Sequence, residues 1–131
     1  MFRLTTNPDF LAQVVAHIPA DRGKTTRVAF HVAFRRLEQR EYQDLMARLR
    51  ESRLEAERIE KETGRPAVPA FGDRQLLDEV LVGFGDDLQD EVGSPLPFTP
   101  ENVDRVLAIY PIQPRMVAAF FDNFGKAAEK N

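Results

Sequence analysis

The sequence predicts an α+β fold that is mainly helical: an N-terminal β-hairpin, a long charged helix, and a C-terminal group of two to three short helices. Three observations carry this. From Thr25 onward apolar and polar side chains alternate with period two, the mark of a half-buried strand. Leu37 to about Glu62 holds no Gly or Pro and is rich in Glu, Arg, Leu and Ala, all good helix formers. Beyond residue 73, apolar residues recur at spacings of three and four between prolines and glycines. The expected layout is a single domain, 1–131, with the hairpin at about 11–36, the helix at about 37–62, a linker at about 63–72 and the helical part at about 73–125.

Leu11 to Ile18 is short and β-rich, and Pro19 to Lys24 is a turn with both Pro and Gly. In the next strand Val28, Phe30, Val32 and Phe34 share one face, while Arg27, Ala29, His31, Ala33 and Arg35 share the other. A lone hairpin is marginal in water, so the Val/Phe face needs a cover, and the helix that follows is the nearest candidate. Along that helix Tyr42, Leu45, Met46 and Leu49 form one apolar stripe. The stripe then thins to Leu54, Ala56 and Ile59 amid charges spaced three and four apart, so the second half either projects or pairs with another copy. Gly64 is placed to end the helix, with Pro66 just beyond.

Ala67 to Gly72 reads as an extended linker. Asp73 caps a short helix carrying Leu76, Leu77, Val80 and Leu81, which Gly83-Phe84-Gly85 stops. Residues 86–98 are dense in turn formers, with a weak strand-like alternation at Leu88, Asp90 and Val92. Thr99-Pro100-Glu101 is a helix start, and Val103, Val106, Leu107 and Tyr110 follow on one face up to Pro111. A last helix begins near Gln113-Pro114 and carries Met116, Val117, Phe120, Phe121 and Phe124; Gly125 ends it, leaving a polar tail from Lys126 to Asn131.

The chain has 131 residues, no cysteine and no tryptophan, but ten phenylalanines. Absence of cysteine excludes disulfides, thiolate metal sites and cysteine nucleophiles. No run approaches the length of a membrane span, and the first residues lack the apolar core and cleavage site of a signal peptide. The net charge of −3 argues against nucleic acid as the main partner. That charge is uneven. Residues 1–65 hold thirteen Lys/Arg against ten Asp/Glu, and residues 66–131 hold five against eleven. The halves can attract within one chain or head to tail between copies.

Candidate chemistry is sparse. Asp86, Asp87, Asp90 and Glu91 crowd together but lack the spacing of a calcium loop, and read as a solvated acidic loop. His17 and His31 do not face each other across a centred turn, which pairs His17 with a residue near Thr26. No GxSxG elbow and no phosphate loop is present. By elimination no catalytic, cofactor-binding or metal residue is assigned, and the reading is a non-enzymatic interaction protein. The alternative is a small regulatory or nucleic-acid-associated protein that uses Arg22, Lys24, Arg27, Arg35 and Arg36 on the hairpin. The expected partner surface is Phe84, Phe98, Phe120, Phe121 and Phe124, with Leu45 and Leu49 from the first helix, because these exceed what a small helical layer needs.

One set of features occurs together in a familiar order. The hairpin ends in Ala33-Phe34-Arg35-Arg36-Leu37 before a charged helix. Val82-Gly83-Phe84 precedes an acidic turn and then Gly93-Ser94-Pro95-Leu96-Pro97-Phe98-Thr99-Pro100-Glu101-Asn102. A helix through Val106-Leu107, a proline break, the helix Val117-Ala118-Ala119-Phe120-Phe121 and the ending Gly125 to Asn131 complete it. In this the chain resembles the tail assembly chaperones of long-tailed, lambda-like bacteriophages and prophages, with Phe84 where tryptophan commonly follows the glycine. The resemblance covers most of the chain and is strongest from Val82 onward. It implies a small, mainly helical, self-associating protein of the host cytoplasm, absent from the mature virion and without a cofactor. Its implied partners are the tape-measure protein and, in some members through a frameshift-extended form, the tail-tube protein.

Overall fold

The computed structural model describes residues 9–130, with side chains described through residue 123. Its elements run β1 (Asp9–Pro19), a short turn of 3-10 helix, β2 (Thr25–Arg35), α1 (Gln39–Thr63), α2 (Asp73–Val80), β3 (Leu81–Phe84), α3 (Pro100–Leu107) and α4 (Ile112–Lys130). This is the mixed α+β architecture expected, with hairpin first, long helix next and short helices toward the end. By contacts the chain falls into two compact units: Leu37–Val80, and the chain up to Arg36 together with the chain from Leu81 onward.

The second of these is built on a three-stranded antiparallel sheet in the order β1-β2-β3. The hairpin register places Ala12 opposite Val32, Val14 opposite Phe30 and Ala16 opposite Val28. All of these are buried except Val28, which is half-buried, whereas Leu11, Gln13, His17, Arg27 and Ala29 on the other face are exposed. Period-two patterning therefore selects the face. The cover over that face comes from α4, at the far end of the sequence. Phe34 and Phe120, both fully buried, meet edge to face at 5.3 Å. The guanidinium of Arg115 donates to the Val15 carbonyl at 3.0 Å.

Strand β3 was not expected. Leu81 continues the helical spacing of Leu76, Leu77 and Val80, and Gly83 weakens any strand signal. Pairing with β2 overrides both: Gly83 lies opposite Ala33 and Phe84 opposite Val32, with an irregularity between Ala33 and Phe34. The strand-like alternation at Leu88 to Val92 yields only one isolated bridge, Gln89 to Pro95, in a loop tied by Asp90. One Asp90 carboxylate oxygen accepts from both the Val92 and Ser94 N–H groups at 3.0 Å.

Helix α3 starts as its sequence demands, with the Thr99 hydroxyl accepting from Asn102 N–H at 3.2 Å and Pro100 in the first turn. It ends at Leu107, three residues short of the expected stripe. The Ala108 and Ile109 N–H groups close that last turn onto Asp104 and Val106. Tyr110 consequently leaves the buried face and stands 75% exposed. Gly125 does not end α4, which runs on to Lys130.

In the Leu37–Val80 unit, α1 opens on a capping box in which Glu38 serves as the cap and Glu41 reaches back. It closes at Gly64, whose φ of +68° is the left-handed conformation that glycine adopts without penalty. The 63–72 segment folds back along α1 inside this unit. The Ala67 N–H donates to the Glu60 carboxylate at 2.8 Å, and the Phe71 N–H to the Ser52 hydroxyl at 2.7 Å. Arg48 lies 4.5 Å above the Phe71 ring and donates to both Glu79 oxygens. Asp73 stands in the first turn of α2 rather than capping it. The preceding Gly72 takes the cap position, and its N–H is met by the Gln75 side chain at 2.9 Å.

Candidate functional site

The β3 segment and the loop after it position the most distinctive side chains. Phe84 ends β3 opposite Val32, and Phe98 comes back at the far end of the loop just before the α3 cap. Their rings meet edge to face at 5.0 Å. Phe84 is half-buried and Phe98 is 44% exposed, so the pair forms a ledge whose inner member is anchored in the sheet. The adjoining Pro97 carbonyl accepts from the Asn102 side chain at 2.9 Å, which ties the ledge to α3.

The loop leaving β3 is clipped to β2 at one residue. His31 accepts the Gly85 N–H through its carbonyl at 2.8 Å and donates its own N–H to one Asp87 carboxylate oxygen at 2.8 Å. The other Asp87 oxygen lies 2.7 Å from His31 Nδ1. Gly85 is required here: a Cβ at this position would stand 2.8 Å from the His31 carbonyl oxygen. The side-chain bond from His31, reinforced by its backbone N–H, holds the Asp87 carboxyl below the usual carboxylate range. This contact spans 56 residues and no sequence pattern announces it.

A carboxyl whose folded value is depressed adds stability that is complete above its unfolded value and disappears as pH falls through the folded one. Stability is thus expected to drop on acidification below about pH 4, with the Asp87→Asn variant showing a shallower drop. Urea midpoints of both proteins at pH 5 and pH 3 measure this. Both side chains are more than 40% exposed, so the difference is small, and equal slopes would remove the clip as its cause.

The structure brings together Phe84 with Phe98, and Phe120 with Phe121, whose rings lie 5.3 Å apart. Phe120 is wholly enclosed and offers no surface to a partner, and Phe121 is half-buried beside it. The Phe124 side chain lies outside the described residues. In the Leu37–Val80 unit Leu45 is 2% exposed and Leu49 half-buried. The same unit carries an open groove of about 380 Å³ between α1 and the returning segment, lined by Ala56, Ile59, Val68, Ala70 and Phe71 among others. Beside it Arg58 bridges Glu55 and Glu62, which lowers the Glu55 carboxyl from its ordinary value through the Arg58 hydrogen bond.

The acidic residues do not converge. Asp87 serves the clip and Asp90 serves its own loop, and among the described residues no group of three or more His, Asp or Glu side chains is placed to hold a metal ion. His17 pairs with Arg27 and His31 with Gln13 across the hairpin, so the two histidines are not neighbours. The basic residues divide between the ends of β2, with Arg22, Lys24 and Arg27 at one end and Arg35 and Arg36 at the other. Arg27 and Arg35 are roughly 27 Å apart along the strand. No helix among the described residues is long and apolar enough to cross a membrane. Comparison with protein-family models, with curated proteins and with solved structures returns no match for this chain.

Proposed function

We propose that this chain is a non-catalytic tail assembly chaperone of a lambda-like phage or prophage. It binds the tape-measure protein in the host cytoplasm, helps recruit tail-tube subunits, in some systems through a frameshift-extended form, and leaves before the virion is complete. The observation that carries the reading is the Phe84–Phe98 ledge. It joins two segments of the part from Val82 onward, where the resemblance is strongest, and it leaves a large aromatic ring 44% exposed beside an acidic loop. Exposed aromatic anchors backed by fixed neighbours are the usual centres of protein recognition. A coat over a long rod calls for such shallow, repeated contacts rather than a deep pocket.

Co-expression with a lambda-like tape-measure protein tests this. The tape-measure protein is expected to stay soluble and to co-purify with the wild-type chain. Phe98→Ala is expected to lower its recovery about tenfold while leaving the circular dichroism spectrum unchanged. A tape-measure protein that precipitates equally with and without the chain would refute the proposal.

A further inference from the structure

Strand β1 forms one edge of the sheet and is eleven residues long, about twice the common strand length. The His31 backbone N–H and C=O both turn toward the β3 side, to Asp87 and Gly85. The His31–Gln13 pair is therefore a non-hydrogen-bonded one, and the odd-numbered residues of β1 point their backbone groups outward. Arg115 fills one of these positions, the Val15 carbonyl. The outward backbone groups of Leu11, Gln13 and His17 meet no partner among the described residues. Beyond Arg115, the strand carries few guards against edge pairing: it has no Lys or Arg, and its only proline is the last residue.

We propose that the outer edge of β1 pairs antiparallel with β1 of a second copy of this chain, in a two-fold register centred on Gln13. Self-complementarity selects the occupant and the register. Centring on Gln13 sets Leu11, 63% exposed, against Val15 of the other copy, Gln13 against itself and Asp9 against His17. A register centred on Val14 instead faces Leu11 with His17 and spends one position on Pro19, which has no N–H to donate. In the Gln13 register the Val15 carbonyl accepts the Leu11 N–H of the other copy, in competition with Arg115. The inference gives a place to the self-association that the chaperone reading implies, yet it is argued from the sheet edge, and the co-expression test judges that reading apart from it.

Analytical ultracentrifugation over a concentration series, paired with charge swapping at the axis, tests it. The wild type is expected to dimerise reversibly. Gln13→Lys and Gln13→Glu each place like charges face to face and are expected to weaken dimerisation about fivefold, and an equal mixture of the two is expected to recover it. Gln13→Pro removes the central N–H, which makes no bond within the monomer, and is expected to abolish dimerisation with the circular dichroism spectrum preserved. A strict monomer at the highest attainable concentration overturns the proposal, as does self-association that Gln13→Pro leaves intact or that the Lys/Glu mixture fails to restore.

Discussion

Replacing Phe120 by alanine is expected to destabilise the sheet unit by about 3–5 kcal/mol, the largest effect of any single change considered. The ring is fully buried and contacts Phe34 and Phe121 edge to face, both at 5.3 Å. Its removal takes apolar surface out of the layer that joins α4 to the strands, and a close-packed interior fills such a space only in part. Phe121→Ala, at a half-buried position, is expected to cost clearly less. With no tryptophan in the chain, urea unfolding followed by far-ultraviolet circular dichroism is the suitable readout. If Phe120→Ala matched the exposed Phe98→Ala in midpoint, the packing of α4 on the sheet would be wrong.

Alanine at Gly85 is expected to cost about 1–3 kcal/mol by overpacking. The added Cβ would sit 2.8 Å from the His31 carbonyl oxygen, 2.9 Å from His31 Cβ and 3.0 Å from the Asp87 carboxylate. The nearest of these is backbone, and it is the acceptor of the Gly85 N–H itself, so no rotamer change relieves the clash. Moving the loop away breaks that bond and loosens the Asp87 clip. Gly83→Ala is the internal control. Its Cβ would meet only the Ala33 methyl at 3.4 Å, so it is expected to be near neutral, helped by the lower entropy of its unfolded chain. The same loosening is expected to flatten the acid limb of stability in Gly85→Ala as it does in Asp87→Asn. A Gly85→Ala protein as stable as the Gly83→Ala control would show that the loop is not held in this way.

These two changes separate the parts of the molecule that serve the fold from those left for recognition. Phe120 and Phe98 are chemically identical, yet one is sealed and the other is 44% exposed. The proposed partner surface therefore loses Phe120 and Leu45, and Phe98 is the most exposed of its described members. That narrowing makes Phe98→Ala informative, because it removes an exposed ring at little structural cost.

What the sequence determined by itself is what depends on near neighbours. Alternation from Val28 to Phe34 sets a strand and its buried face, because successive side chains of a strand point to opposite sides. The long Gly/Pro-free run sets α1, Gly64 sets its end, and Thr99-Pro100 sets the start of α3, since caps act within a few residues. Tertiary structure alone decided the rest. It drew Leu81 to Phe84 into a strand against its helical spacing, brought α4 from the far end of the sequence onto the hairpin, and joined His31 to Asp87 across 56 residues. It also decided which phenylalanines lie inside. Hydrophobic burial is non-directional, and an edge strand accepts whichever segment reaches it, so an apolar residue carries no local sign of what will stand opposite.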